Sequence, residues 1–315
     1  MSQKAGPGGR PLRVAVAGAG YISQFHLAGW KDTPNVEIVA VCDSAVEKAQ
    51  ARAAQFGVPR LYADFAEMLD RERPDAVDIA TPVGTHGALV RMAADRGVQV
   101  MVQKPMTSTV AEAEALIRDV GERVRFMVHE NFRFRPHYVA VREWVAAGRI
   151  GDIRHARLTV RSSGFAPVAG GMPPILARQP YLLTFPRLLI FEALIHHLDV
   201  LRCLLGPVTV TSATLSRINT ALAGEDVATV LLRGPFNIRA VLDGNFSAPG
   251  YPVVPVDRLE IVGTRATLLY DVTRLGLVGS SDPWLAFDPQ ETYQVCFTEA
   301  IRHFVHGLRT GEPFA

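Results

Sequence analysis

Short apolar segments rich in valine, isoleucine and alanine alternate with helical patterns over the first 130 residues of this chain. The first segment, LRVAVAG, begins at residue 12, and the fifth, RVRFMVH, ends at residue 129. Strands that are separated by helices pair in parallel through right-handed crossovers, and helices then cover both faces of the sheet. The alternation therefore predicts an α/β domain with a doubly wound parallel sheet over residues 12–130.

The pattern changes after residue 130, where one more helix precedes longer strands that are joined by turns. Joins such as RGPFN and VGTR are typical of antiparallel neighbours. We therefore predict a second, α+β domain over residues 131–315 with an open, mostly antiparallel sheet. We expect a helix over residues 291–309 to pack back toward the first domain. The Pro- and Gly-rich residues 165–187 are expected to form a long loop.

The charge balance offers no electrostatic case for a nucleic-acid or membrane partner. The 33 lysines and arginines nearly offset the 31 aspartates and glutamates, which leaves a net charge of +2. The three cysteines suggest neither a disulfide framework nor a metal site, so we predict no metal and a cytoplasmic location. Residues 1–11 lack the apolar core of a signal peptide and are expected to form a disordered leader.

A glycine-rich turn joins the first strand to the first helix in VAVAGAGYIS. Gly18 permits a tight turn, Gly20 lets the backbone approach a pyrophosphate, and the small Ser23 permits close packing of the helix on the strand. Tyr21 and Ile22 lie in the same turn, at the helix N-terminus where a phosphate binds. The turn and its position predict a Rossmann domain that binds a dinucleotide.

A carboxylate follows the second strand at the position that selects the dinucleotide. Asp43 ends the segment VAVCD, about 20 residues after Gly20. There it would accept hydrogen bonds from the adenosine ribose and repel a 2′-phosphate, and the next residue is Ser44 rather than an arginine. We therefore predict NAD rather than NADP, with a simple helix N-cap as the alternative role of Asp43.

Two adjacent histidines lie in IFEALIHHLDVLR, residues 190–202, which has no glycine or proline and is predicted to be helical. At about 100° per residue, His196 shares one face with Glu192 and Asp199. His197 points toward apolar neighbours and is predicted to lie in the core. A carboxylate one turn away can orient an imidazole and stabilise its protonated form. His196 is therefore the predicted catalytic histidine, and Asp199 is predicted to be structural.

Several motifs in one order resemble those of the Gfo/Idh/MocA oxidoreductases, the glucose–fructose oxidoreductase, inositol dehydrogenase and rhizopine catabolism family. The first is Thr81-Pro82 followed by His86, and the second is Gln103-Lys104-Pro105. The similarity continues through the segments ENFRFRP (130–136), AAGRIGDI (146–153), FEALIHHLDVLRCLLG (191–206) and FTEAIRHFVHGLRTGEPF (297–314). The resemblance covers nearly the whole chain.

The resemblance implies a role for each matched residue. Lys104 corresponds to the family lysine that lies beside the nicotinamide and hydrogen-bonds the reacting hydroxyl, and Pro105 to a cis peptide. His196 corresponds to the general base, and Glu192 to an acidic partner that is usually aspartate. Thr81, Pro82, His86 and Gln103 are expected to contact the cofactor. Gln103 stands where the family mostly has glutamate, which removes a negative charge next to Lys104.

Three polar residues are the predicted substrate contacts. Asn131 and Arg133 follow the last parallel strand, and Tyr181 lies in the expected loop before the histidine helix. Arginines near a polyol site suggest a substrate carboxylate, because a guanidinium can bind both carboxylate oxygens. A sugar, a cyclitol and a sugar acid all remain open as substrates.

The function predicted from the sequence is NAD-dependent oxidation of a secondary hydroxyl of such a substrate, with Lys104 and His196 handling the proton. One alternative is a redox-neutral oxidoisomerase or lyase that keeps NAD tightly bound. Another is a dinucleotide-sensing regulator without catalysis. We also expect a homodimer or homotetramer that pairs through the second sheet.

Overall fold

The computed structural model describes residues 10–314, so most of the predicted leader, residues 1–9, lies outside the described residues. The described chain forms two compact units. The first unit extends to Phe134 and takes up the chain again from Tyr293. The second unit comprises Arg135–Thr292.

Six parallel strands form the sheet of the first unit: the five that the alternating pattern predicts and a two-residue strand, Leu61–Tyr62, that it does not. They are β1 (Leu12–Ala17), β2 (Val36–Cys42), β3 (Leu61–Tyr62), β4 (Ala76–Ile79), β5 (Gln99–Gln103) and β6 (Phe126–His129). Their order across the sheet is β3-β2-β1-β4-β5-β6, which is that of a doubly wound dinucleotide-binding sheet. The carboxyl ends of all six strands therefore lie at one edge.

Five helices connect these strands. They are α1 (Ser23–Lys31), α2 (Val46–Phe56), α3 (Phe65–Glu72), α4 (Val83–Asp95) and α5 (Val110–Val120). Local sequence signals set several of their ends. Gly57 ends α2 in the left-handed conformation, and Thr109 forms a capping box with Glu112 at the start of α5. Met68, Val90 and Leu116 are fully buried in the cluster that α3, α4 and α5 form on one face of the sheet.

The second unit is built on an eight-stranded sheet. Its strands are β7 (Ile153–Arg161), β8 (Thr209–Ser216), β9 (Val227–Arg233), β10 (Arg239–Asn245), β11 (Val256–Gly263), β12 (Thr267–Asp271), β13 (Arg274–Leu277) and β14 (Leu285–Ala286). The order is β14-β13-β12-β11-β7-β10-β9-β8. Only β7 and β10 pair in parallel, so the prediction of an open, mostly antiparallel sheet is confirmed.

The helices of this unit are α6 (Pro136–Ala146), α7 (Pro174–Arg178) and α8 (Ile195–Leu205). The segment that we expected to be a long loop contains α7 and a 3₁₀ helix over Pro180–Thr184, so that prediction is wrong in part. Pro174 and Pro180 stand at the first position of these two short helices, where a missing N–H costs nothing.

The last helix, α9 (Pro289–Thr310), joins the first unit from Tyr293 onward. Its Gln294 amide donates to the carbonyl of Phe25 in α1 (3.1 Å), and Phe304 packs edge-on against Trp30 (6.2 Å between ring centres). Leu27 and Ile301 complete this apolar layer on the opposite face of the sheet from α3–α5. None of the helices in residues 10–314 has the length and apolarity to cross a membrane.

Candidate active site

The loops that follow β1, β2, β4 and β5 carry most of the predicted site residues of the first unit. Because parallel strands end at the same edge, these loops are neighbours, and this edge is where ligands bind in doubly wound sheets. Within it lie the following predicted residues: Gly18, Gly20, Tyr21, Ile22, Asp43, Thr81, Pro82, Gln103 and Lys104.

The glycine turn has the geometry that its sequence predicts. Gly18 has a φ of +98°, and a Cβ there would lie 2.4 Å from the carbonyl oxygen of Ala80, so only glycine fits. A Cβ at Gly20 would meet no atom within 4 Å, which leaves open space above the backbone. Ile22 is the N-cap of α1, and Tyr21 is partly exposed beside it. The turn therefore presents the helix N-terminus and bare backbone to a phosphate.

Asp43 holds the glycine turn against the end of β2. Its Oδ2 accepts from the backbone N–H of Ala19 (2.7 Å), and its Oδ1 from that of Ala45 (2.9 Å). Ala45, not Asp43, is the N-cap residue of α2, so a simple N-cap does not describe this carboxylate. Each oxygen accepts one of these hydrogen bonds and can accept another from a ribose hydroxyl.

Arg52 binds the same turn and escaped the sequence analysis. Its guanidinium donates to the carbonyl of Gly20 (3.2 Å) and to the hydroxyl of Ser23 (3.2 Å). The Ser23 hydroxyl in turn donates to the Gly20 carbonyl (2.7 Å). Arg52 lies 32 residues after Gly20, and no local pattern pairs the two. A cation is thereby held at the turn that is predicted to bind a pyrophosphate.

His86 connects two of the loops at this edge. Its Nε2 lies 2.8 Å from the carbonyl oxygen of Thr81, and its Nδ1 lies 2.9 Å from that of Pro105. The side chain is buried, and burial lowers the pKa of the imidazole although the two carbonyl contacts raise it. The ring therefore ties the Thr81-Pro82 turn after β4 to the turn that carries Lys104.

Lys104 is the first residue after β5. Its peptide bond to Pro105 is cis, as the resemblance implies. Its backbone N–H donates to the side-chain oxygen of Gln103 (2.7 Å), and Gln103 itself is buried. A partly exposed lysine thus follows a buried strand at the edge where the dinucleotide is predicted to bind.

These residues fit a bound dinucleotide. The open space at Gly20 leaves room for a pyrophosphate, and Asp43 retains acceptor capacity for the ribose. Thr81 and Pro82 stand at the start of α4 at the switch point of the sheet. Within residues 10–314, no group of three or more His, Cys, Asp or Glu side chains is placed to hold a metal ion.

In the second unit, the predicted histidine helix begins differently from the expectation. Leu189–Leu194 form a π-helical turn, and α8 starts only at Ile195, so the prediction of one α-helix from residue 190 is wrong. The carboxylate of Glu225 accepts from the backbone N–H groups of Leu188 (3.3 Å) and Ile190 (3.0 Å). A tertiary contact therefore holds the entry to this turn, where an isolated helix would need its own cap.

The π-helical turn changes which residues share the predicted face of His196. His196 and Asp199 both lie in α8, three residues apart, and share a face as expected. Glu192 lies in the π turn, so the 100° spacing that placed it on that face does not apply. The Glu192 carboxylate instead accepts from the hydroxyl of Tyr181 (3.1 Å), which brings a predicted catalytic residue and a predicted substrate contact together.

His197 is buried, as the helix geometry predicts, but its ring contacts the carboxylate of Asp257 as well as apolar neighbours. Its Nε2 lies 3.1 Å from Oδ1 of Asp257 on β11. Asp257 also accepts from the hydroxyl of Tyr138 (2.8 Å) and from Arg135 (3.2 Å). Burial raises the pKa of Asp257, yet His197 and Arg135 outweigh it and hold that pKa well below its ordinary value. Asp257 therefore anchors the residue next to His196.

The two predicted substrate contacts after β6 lie in different settings. The side-chain amide of Asn131 is buried and donates to Sγ of Cys296 in α9 (3.1 Å). Arg133 lies in a 3₁₀ turn over Phe132–Phe134 and is partly exposed. Asn131 thus attaches this segment to α9.

Family profiles match both units. A profile described as the oxidoreductase family with an NAD-binding Rossmann fold matches residues 12–130. A second profile, the GFO/IDH/MocA C-terminal domain, matches residues 138–269. The chain belongs to the Gfo/Idh/MocA oxidoreductase family. As a Gfo/Idh/MocA protein it is an oxidoreductase with an NAD-binding Rossmann unit.

Individual Gfo/Idh/MocA relatives align over nearly the whole chain. A D-apiose dehydrogenase from Paraburkholderia graminis is 36% identical over 96% of this chain and 82% of its own. An inositol 2-dehydrogenase from Rhizobium meliloti is 28% identical over 96% of this chain and 91% of its own. The crystal structure of an oxidoreductase from Agrobacterium radiobacter, with NAD+, L-tartaric acid and magnesium, matches with a TM-score of 0.88 at 30% identity. That match covers 96% of this chain and 90% of the other.

Proposed function

We propose that this Gfo/Idh/MocA protein is an NAD-dependent dehydrogenase that oxidises a secondary hydroxyl of a sugar, cyclitol or sugar acid. The observation that carries the proposal is the edge of the parallel sheet where the glycine turn after β1, Asp43 after β2 and Lys104 after β5 all lie. Relatives named as D-apiose and inositol dehydrogenases support the substrate class, and L-tartaric acid in a similar structure supports a hydroxy acid.

Two side chains are proposed to handle the proton. When NAD is bound, its nicotinamide accepts the hydride from the substrate carbon. Lys104 donates a hydrogen bond to the reacting oxygen and stabilises the alkoxide that develops there. His196 takes the hydroxyl proton, for which an imidazole is suited near neutral pH. Asn131, Arg133 and Tyr181 are the proposed substrate contacts, and the Glu192 carboxylate, which accepts from the Tyr181 hydroxyl, positions that hydroxyl.

We infer that NAD is preferred over NADP. Asp43 is the support for this preference, because a carboxylate that already binds the glycine turn would stand beside the ribose and repel a 2′-phosphate.

The test is a substrate panel with each dinucleotide. Purified protein is mixed with NAD or NADP and with D-apiose, inositols, L-tartaric acid, aldoses or sugar acids. We expect the absorbance of the reduced nicotinamide to rise with NAD and at least one compound. Lys104→Met should abolish that signal, whereas Lys31→Ala, at the far end of α1, should not. Product without net reduction of NAD would favour the redox-neutral oxidoisomerase or lyase, and no turnover with tight NAD binding would favour the regulator.

We also infer a cytoplasmic homodimer or homotetramer that pairs through the second sheet. All residues of β8 are exposed, and Val210, Leu215 and Leu231 leave apolar surface on β8 and β9. None of the three cysteines forms a disulfide, which suits a reducing compartment. Light scattering on the purified protein gives the number of subunits, and a monomer at micromolar concentration would contradict the inference.

A further inference from the structure

A chain of buried polar side chains runs through the apolar layer behind Lys104. It begins at the Lys104 backbone N–H, which donates to Oε1 of Gln103 (2.7 Å). Nε2 of Gln103 lies 3.0 Å from Nε2 of His26 in α1. The Gln103 and His26 side chains are buried, with His26 at 0% exposure. The hydrogen bond between Gln103 and His26 is therefore buried, and the one from Lys104 to Gln103 is partly buried.

The same chain ends on a carboxylate in the neighbouring strand. Nδ1 of His26 lies 2.8 Å from Oδ2 of Asp78 on β4, and the indole N–H of Trp30 donates to the same oxygen (2.7 Å). The other oxygen, Oδ1, has no hydrogen-bond partner within residues 10–314. Asp78 is fully buried, and its Oδ2 faces the nitrogens of His26 and Trp30 at the end of this series of hydrogen bonds.

The donor and acceptor of each hydrogen bond in this series follow from the first bond, in which the Lys104 backbone N–H donates to Gln103. A backbone N–H can only donate, which makes Oε1 of Gln103 the acceptor and turns the amide N–H₂ toward His26. An amide nitrogen can only donate, so Nε2 of His26 must offer its lone pair. The ring is therefore the neutral tautomer with its proton on Nδ1, and that proton goes to Asp78.

The titratable groups that face His26 come from two strands. Asp78 faces it from β4, and the ring of His129 lies 4.3 Å away from β6. From α9, Phe297 contributes only an apolar ring (5.4 Å). A deprotonated carboxylate at the Gln103 position would face the lone pair on Nε2 of His26 with no proton between them.

We propose that Gln103, His26 and Asp78 are positioning residues that fix the backbone of Lys104, and that the amide of Gln103 makes this positioning independent of pH. The inference rests on the proposed function, because it assigns the chain a role through Lys104. Each member acts on the next by a hydrogen bond, and none of them is proposed to touch the substrate.

Gln103→Glu tests the claim about pH. In this variant the new carboxyl and His26 can share one proton at low pH, which preserves both contacts. Once that proton leaves, a carboxylate faces the imidazole lone pair and the Lys104 turn loses its support. We expect kcat near the wild-type value at acidic pH and a loss of about tenfold toward alkaline pH that the wild-type profile lacks. Superimposable profiles, or an equal loss at every pH, would overturn the proposal.

Gln99→Glu is the matched control on the same strand. The side-chain oxygen of Gln99 accepts from the backbone N–H of Arg125 (2.7 Å), which is the same kind of bond, but the amide nitrogen of Gln99 faces the carbonyl of Gly97 instead of an imidazole. This variant should keep the wild-type pH profile. Urea unfolding of both variants across the same pH range separates loss of position from loss of fold. A fall in kcat that merely follows the unfolded fraction would contradict a positioning role.

A readout without turnover keeps this inference separate from the proposed function. Nitrogen chemical shifts of ¹⁵N-histidine in the full-length protein report the proton on each ring nitrogen, and His26→Gln assigns the signals of His26. We expect the Nδ1–H tautomer in the wild type at neutral pH and an added proton at low pH in Gln103→Glu. A proton on Nε2 in the wild type would refute the inference. Absence of any substrate with these shifts as expected would count against the proposed function alone.

Discussion

In each unit a buried carboxylate binds a buried histidine close to a proposed catalytic residue, but the hydrogen bonds that connect them differ between the units. In the first unit Asp78 binds His26, which reaches the Lys104 backbone through Gln103. In the second unit Asp257 binds His197, the direct neighbour of His196 in α8. Asp257 has three donors that include Arg135, whereas Asp78 has two on a single oxygen and no salt bridge to lysine or arginine within residues 10–314.

The difference shows two ways to hold a side chain in place without water. A buried ion pair is costly to break once one partner is lost, because the other charge is left unpaired. A chain of hydrogen bonds between an amide and a neutral imidazole depends instead on donor and acceptor order. The second unit should therefore respond strongly to the loss of charge, and the first to a change of hydrogen-bond direction.

The largest expected effect comes from removing the proposed catalytic residues, and it tests whether Lys104 and His196 act in one reaction. Lys104→Met and His196→Gln should each lower kcat/KM by about 10² to 10⁴. Residues that act on the same hydroxyl are not additive, so the double variant should lose little beyond the worse single variant. Steady-state kinetics measure this, with Lys31→Ala and the exposed His306→Gln as controls. Losses that multiply in the double variant would mean that the two residues serve separate steps.

The next effect concerns the ion pair of the second unit. Asp257→Asn should lower the free energy of unfolding by about 3 to 5 kcal/mol, because Arg135 loses its buried partner charge. Asp282→Asn removes an exposed partner of Arg149 and should cost less than about 1 kcal/mol. Urea unfolding at neutral pH gives both values. The pKa of Asp257 is lowered in the folded state, so its stabilisation should be lost as pH falls below the ordinary aspartate range. Equal costs for the two variants would contradict the assigned difference.

A third effect comes from His137, whose ring stacks on Tyr270 (4.2 Å) beside the same cluster. Burial lowers the pKa of His137 to about 3, so the folded state resists a proton that the unfolded chain takes up. Stability should therefore fall as pH drops from about 6.5, by about 3 kcal/mol at pH 4. In His137→Phe this part of the stability profile should lose most of its slope, and His86, whose pKa burial also lowers, should carry the remainder. A profile that keeps its full slope would show that another group carries the acid sensitivity.

The smallest expected effect concerns Asp43, a partly exposed carboxylate that is proposed to bind the adenosine ribose. Asp43→Ala should raise the kcat/KM for NADP relative to NAD by about tenfold, because a 2′-phosphate then meets no negative charge. The ratio is the measurement, since loss of the bond to Ala19 weakens the glycine turn for both dinucleotides. Asp70→Ala, an exposed partner of Arg96, should leave the ratio unchanged. An unchanged ratio in Asp43→Ala would refute the assigned selectivity.

Local patterns predicted much of the fold and of the first unit's site. The strand order places the residues after β1, β2, β4 and β5 at one edge, so their neighbourhood could be read from the alternation of strands and helices. The π-helical turn before α8 could not be predicted from the sequence, because it is held by a hydrogen bond from Ile190 to Glu225, which lies 35 residues away. The short helices over residues 174–184 were missed because proline signals both a loop and the start of a helix.

The sequence by itself determined the parallel sheet, the glycine turn, the lysine after β5 and the burial of His197, because each depends on residues within one or two turns or strands. Only the tertiary structure decided what each buried histidine binds. Asp78 lies 52 residues from His26, and Asp257 lies 60 residues from His197. A buried polar group must find its partner among whatever side chains the packing brings within hydrogen-bond distance, and no local period encodes that choice.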